Sequence, residues 1–238
     1  MNRPHSSCLT DQSVGEIVAV SPGLSRVFEA YQIDFCCRGG KTVREACEAG
    51  GQSLVEVVNA LEKALHGFTE VEPNPGTLPP AALIDHIVER HHGFLRRELP
   101  RLHSMAQRVA EVHGDHTPSL VEVFRTFQEL FIELDSHMMK EEQVLFPAIK
   151  ALASNEASEG RICGSLREPI AMMRHEHDEA GEALHHLRSL TDGYQPPGDA
   201  CNTYRALFSG LAELERDLHI HIHLENAVLF PTAEALAA

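Results

Sequence analysis

HMMKEEQVLFP, from His137 to Pro147, returns as HIHLENAVLFP, from His221 to Pro231. In each copy a His is followed four residues later by a Glu, His137 with Glu141 and His221 with Glu225, and then by Leu-Phe-Pro, all at one offset of 84. Residues i and i+4 of an α-helix stack on one face, so each copy offers an imidazole and a carboxylate to the same point. One such pair is weak information, because His and Glu are common at solvated helix positions. A pair repeated in register points to a metal site.

Upstream of the two copies, His92 in RHHGF and His177 in RHEHDEAG precede them by 45 and 44 residues. Each half therefore reads His, connection, His-x-x-x-Glu. Two halves, each a helix pair, would bring His92, His137, His177, His221, Glu141 and Glu225 to the middle of a four-helix bundle, six ligands with two carboxylates able to bridge two metals. His91 and His175 sit beside His92 and His177 and stay open as alternatives. His219 and His223 are two residues from His221, about 200° round a helix, and cannot share its face. His86, six residues before His92, reads as solvated or supporting. Imidazole and carboxylate without thiolate suit iron or manganese, with zinc a third choice, and bridging carboxylates favour a redox-active pair. The Glu-x-x-His pattern of ferritin-like bundles occurs here only as Glu89 to His92, with no partner in the second half.

Among nearby acids, Glu133 and Asp217 stand one turn before His137 and His221, again 84 apart, and could orient ligands or carry protons. Glu176, next to His177, is a further candidate for proton delivery.

The 238 residues are 43% apolar, enough for a real core. Twenty basic against 35 acidic residues give a net charge of −15 with no Lys/Arg cluster, which argues against a nucleic-acid partner. No apolar run is long enough for a membrane span, and MNRPHSSCLTDQ has no secretory h-region, so a soluble cytoplasmic protein without a membrane partner is expected. The six cysteines, at 8, 36, 37, 47, 163 and 201, form no CxxC pair, which suits reduced thiols better than a disulfide scaffold or zinc ribbon.

Prolines 73, 75, 79 and 80 mark a linker over residues 67–80. Before it, residues 1–66 read as a small domain of short helices, with Ser21-Pro22 as a cap and first-turn proline and Leu54, Val57, Val58, Leu61 and Leu65 as one apolar stripe. After it, residues 81–238 read as four helices, at about 80–112, 118–153, 166–190 and 200–236, joined by turn-rich connections such as SNEASEGRICGS. Both Leu-Phe-Pro prolines should kink or end their helices. The expected fold is all-α, an up-down-up-down four-helix bundle preceded by a small helical domain.

The pattern His92, His137-x-x-x-Glu141, His177 and His221-x-x-x-Glu225 resembles the hemerythrin-like di-iron family. With DFCCRGG at residues 34–40, the chain looks like the bacterial iron-sulfur cluster repair di-iron proteins. That resemblance implies two irons bridged by Glu141 and Glu225, with His92, His137, His177 and His221 completing the set. The fifth histidine of oxygen-carrying hemerythrins is missing from the repair family, which implies an open position for nitric oxide, oxygen or release of an iron.

Cys36 and Cys37 match the family's paired cysteines and are candidates for a redox or docking role, against a bland reading as small buried residues. The implied function is repair of iron-sulfur clusters under nitrosative or oxidative stress by supply of iron. The alternatives are a nitric oxide sink or sensor, and a nitric oxide reductase. Damaged iron-sulfur proteins, an unidentified electron donor and, with the oligomeric state open, a second copy are the implied partners.

Overall fold

The computed structural model describes residues 9–67, 74–154 and 166–237. Cys8, residues 68–73 of the linker, and residues 155–165 of the connection that holds Cys163 lie outside the described residues. Apart from one isolated bridge, Ser13 to Thr42, the described residues build helices and the turns between them. None of these helices is long and apolar enough to cross a membrane.

Two compact units emerge, one of residues up to Leu83 together with His219–Leu236, the other of Ile84–Leu218. In the first, α1 (Val14–Val20) and α3 (Val43–Gly50) open with reciprocal capping boxes, Ser13 with Glu16 and Thr42 with Glu45, each satisfying two otherwise orphaned backbone donors. Between them lie a 3-10 turn, Pro22–Leu24, and α2 (Ser25–Ala30). Pro22 takes the expected first-turn place, but the Ser21 side chain makes no capping bond. In α4 (Leu54–Gly67) the apolar stripe turns inward. Val57 and Leu61 are fully buried, and Leu54, Val58 and Leu65 pack half-buried on the same core, which also holds Phe28, Phe35, Val43 and Ile222. Each fully buried side chain of this size contributes roughly 1.5 to 3 kcal/mol. The linker's far end is tied down here, since Asn74 caps the 3-10 turn Pro75–Thr77 and donates to the Ala19 carbonyl at 2.6 Å.

The second unit is a four-helix bundle. Its rods are α6 (Gly93–His113), α7 (Ser119–Lys140), α9 (Arg167–Leu190) and α10 (Asn202–His223, to Leu218 in this unit). Leu95, Leu99, Leu102, Phe127, Leu130, Leu184, Leu187, Leu207 and Leu214 interdigitate along its axis.

Three rods widen into π turns. Short α5 (Pro80–His86) passes through Ile87–His92 into α6; α7 passes through Glu141–Leu145 into α8 (Phe146–Ala153); and α10 passes through Leu224–Leu229 into α11 (Phe230–Leu236). Of the two expected effects of Leu-Phe-Pro, a kink or an end, the end is corrected: the chain stays helical through each π turn. In the π turns Phe146 N–H bonds to the Glu141 carbonyl and Phe230 N–H to the Glu225 carbonyl, five residues back. Pro147 and Pro231 then fall in the first turn of a new α segment, where a missing N–H costs little.

Candidate metal centre

His92, Glu141 and Glu225 each lie within one of the three π turns. A π turn takes in one extra residue, which lets adjacent side chains such as His91 and His92 both be buried. Such bulges concentrate at functional sites.

In the four-helix unit, the Glu141 carboxylate is fully buried, with Oε2 facing His92 Nε2 and Oε1 facing His137 Nε2, both at 3.3 Å. His177 Nε2 lies 3.1 Å from His137 Nε2. His137, Glu141 and His177 offer ligand atoms within 4.8 Å of one another. Two imidazole nitrogens bound at right angles to one ion at about 2.1 Å would stand about 3.0 Å apart, so the spacing fits a shared cation.

The outward nitrogens are held by carboxylates. His92 Nδ1 meets Glu142 Oε1 at 2.6 Å, and that oxygen is also bonded by Arg96 at 2.6 Å. His137 Nδ1 meets Glu176 Oε2 at 2.8 Å, and Lys140 pairs with the other Glu176 oxygen. Burial opposes ionisation of both acids, but the bonds from Arg96 and His92, and from Lys140 and His137, keep Glu142 and Glu176 below the usual carboxylate range. A carboxylate that accepts a hydrogen bond from Nδ1–H keeps the proton on that nitrogen and leaves Nε2 as a lone pair aimed inward, the tautomer a metal requires. Lone pairs facing a buried carboxylate repel each other, and a cation among them removes that cost. His92 also stacks on Phe146, at 5.8 Å and 18°, which fixes its ring plane.

In the other unit, His221 and Glu225 are buried, with Nε2 and Oε1 3.1 Å apart. The i, i+4 reasoning thus describes both copies. These His/Glu clusters could hold a metal.

Other expectations resolve differently. His91 turns its Nδ1 to Asp217 Oδ2 at 3.1 Å, so Asp217 orients His91. His86 is half-buried, its ring edge-on to His91 at 5.8 Å. His175 is exposed and pairs with Glu179. Glu133 is exposed, and partial desolvation with the neighbouring charges of Glu179, Glu129 and Glu176 raises its pKa. Glu176 meets His137 Nδ1 and Lys140.

His219 and His223 face away from the His221 side, as helical phase requires, and both rings pack edge-on to Phe35 at 5.9 and 5.7 Å. The loop after Phe35 follows. Asn226 Nδ2 donates to the Cys36 carbonyl at 3.4 Å. Glu142 and Asn226 were not singled out by sequence reasoning, because they occupy equivalent repeat positions with different chemistry and so leave no repeated signal.

Comparison with known proteins gives two family matches, the Hemerythrin HHE cation binding domain over residues 83–233 and a Domain of Unknown function (DUF542) over residues 10–65. The iron-sulfur cluster repair protein YtfE of Musicola paradisiaca is 38% identical over 224 residues, covering 94% of this chain and 96% of the relative. YtfE of Escherichia coli (strain K12 / DH10B) is 40% identical over 225 residues, covering 94% and 97%. The chain belongs to the hemerythrin-like iron-sulfur cluster repair family. Within that family match, residues 83–233 take in all six of the expected ligands, and residues 10–65 take in Cys36 and Cys37.

Proposed function

We propose that His92, His137, Glu141, His177, His221 and Glu225 bind two iron ions, with Glu141 and Glu225 as bridges, and that the protein repairs damaged iron-sulfur clusters by supplying iron. The observation that carries this reading is Glu141, wholly buried with an imidazole nitrogen 3.3 Å from each oxygen, in a chain 38–40% identical over most of its length to proteins named for cluster repair.

Iron bound there would supply redox chemistry and a releasable ion. The chain's own residues do the rest. Glu142 and Glu176 fix the tautomers of His92 and His137, Phe146 holds the His92 plane, and Glu133, exposed and with a raised pKa, exchanges protons with solvent. The reading places the protein in the cytoplasm, acting during nitrosative or oxidative stress on damaged iron-sulfur proteins.

The test is anaerobic. Iron per chain is measured for the parent and for Glu141→Ala, and the loaded protein is then mixed with an iron-sulfur enzyme whose cluster has been stripped of iron, with sulfide present. Expected are about two irons in the parent by ligand count, fewer than one in the variant, and recovery of enzyme activity in step with iron lost. Retention of two irons by Glu141→Ala would sink the ligand assignment. A loaded parent that restores nothing, but turns nitric oxide into nitrous oxide with an added reductant, would replace iron supply with the reductase reading.

A further inference from the structure

The loop from Asp34 to Gly40 gathers three potential ligands that the His/Glu centre does not use. Cys36 Sγ and Cys37 Sγ lie 3.7 Å apart, and Asp34 Oδ1 is 3.3 Å from Cys36 Sγ. All three offer ligand atoms within 4.8 Å of one another. We propose that Asp34, Cys36 and Cys37 form a second cation site, suited to a thiophilic divalent ion such as Zn2+, Cd2+ or Fe2+.

The spacing supports this directly. Two thiolates at about 2.3 Å from a tetrahedral ion stand about 3.8 Å apart, close to the Sγ separation found here. A carboxylate oxygen at about 2.0 Å from the same ion would lie about 3.5 Å from each sulfur, near the Asp34 to Cys36 distance. Three ligands on one face of a tetrahedron leave the fourth position open for water or another ligand, unlike closed four-ligand structural sites.

The loop is also held in shape. Asp34 Oδ1 accepts from the Cys36 and Cys37 backbone N–H groups at 3.0 and 2.9 Å, and Asn226 anchors the Cys36 carbonyl. Gly15 N–H donates to the Gly39 carbonyl at 2.9 Å, and a Cβ at Gly39 would come within 2.4 Å of the Phe35 carbonyl oxygen, so only glycine permits the turn. Cys36 is buried, Cys37 half-buried and Asp34 exposed, which leaves the ligands a side open to solvent.

Electrostatics point the same way. The Cys36 thiol is held well above its ordinary value by its hydrogen bond with Cys37, by burial, and by the charges of Cys37 and Asp34. The charges of Cys37 and Asp34 disfavour a second thiolate, and a divalent cation among the three groups reverses that repulsion and offsets the cost of burying the charge. Binding then exchanges two thiol protons for the ion, M2+ replacing 2 H+ with both protons released to buffer and no change of oxidation state.

The experiment is an anaerobic titration of the full chain with Co2+, followed through its sulfur-to-cobalt charge-transfer absorption. That absorption arises only from thiolate ligation, so it reads this site whether or not the His/Glu centre holds metal. The expected result is one equivalent of thiolate-bound Co2+, displaced by Zn2+. The band should be lost in Cys36→Ser and in Cys37→Ser, weakened at least tenfold in affinity in Asp34→Asn, and unchanged in Cys201→Ser. The half-buried Cys37 and the isosteric Asp34→Asn change guard against misfolding, checked by thermal unfolding. Absence of the band from the fully reduced parent, or its survival in the folded Cys37→Ser protein, would overturn the proposal.

Discussion

The two copies of the Leu-Phe-Pro repeat share a backbone and differ in nearly everything that touches it. Both bury a His and a Glu one turn apart, and both open a π turn closed by a Phe N–H. On the outer face they part. Where the second copy presents His219 and His223 to Phe35, the first presents Asp135 and Met139 to solvent. Where the first copy has Glu142 holding His92, the second has Asn226 reaching the Cys36 carbonyl. Further back on the same helices, Phe131 packs its ring on His103, while its counterpart Glu215 is buried and pairs with Arg188. The His and Glu positions repeat because each copy must place the same two side chains, whereas the surrounding positions answer to whatever each copy packs against.

The largest effect on stability should come from the equivalent positions Phe131 and Glu215, a ring in the first copy and an acid in the second. Glu215→Ala leaves Arg188 without its buried partner and should cost about 3 kcal/mol in urea unfolding, the lower end for a broken buried pair because Arg188 keeps part of its surface in water. Phe131→Leu, a change of packing alone, should cost less than about 1.5 kcal/mol. Equal costs would show that the two halves are stabilised alike after all.

Next comes the contrast between His223 and Met139. Burial pushes the His223 pKa down to about 4, with the Phe35 backbone opposing it only in part. The folded state therefore keeps this ring neutral while the unfolded chain, with a pKa of about 6.5, takes up a proton. Stability from this group is complete above about pH 6.5 and is lost as pH falls from there towards 4. Between pH 7 and pH 5 the parent should lose about 2 kcal/mol more than His223→Met, the residue of the first copy. A variant with the same pH slope as the parent would remove His223 as the source.

The smallest effects sharpen the comparison at the metal centre. Glu142→Gln should weaken iron binding by about tenfold, since the carboxylate that orients His92 is lost. Asn226→Ala removes one long hydrogen bond to the Cys36 carbonyl and should cost no more than about 1 kcal/mol of stability, with iron affinity unchanged. If Asn226→Ala weakens iron as much as Glu142→Gln does, the two copies support their ligands equally.

Much of the site was legible because helices have a fixed period. His137 with Glu141, and His221 with Glu225, could be paired from spacing alone, and the phase that removed His219 and His223 from that face holds in the structure. The π turns were not legible, and for the same reason: an α-helical period was assumed across Leu-Phe-Pro. That assumption had Pro147 and Pro231 kink or end their helices, when one inserted residue in each π turn carries the helical chain past them. It also set His91 and His92 as rivals for one place, when both are buried and His91 belongs to Asp217.

The sequence by itself determined the helices, the repeat and the chemistry of the paired His and Glu side chains, since these follow from local spacing and from the identity of the side chains. Only the tertiary structure decided which acid supports which histidine, that Phe35 lies against His219 and His223, and that Asn226 reaches the Cys36 carbonyl. Those pairings join positions up to 190 residues apart, as Asn226 and Cys36 are, and depend on how separate elements pack, for which local spacing carries no signal.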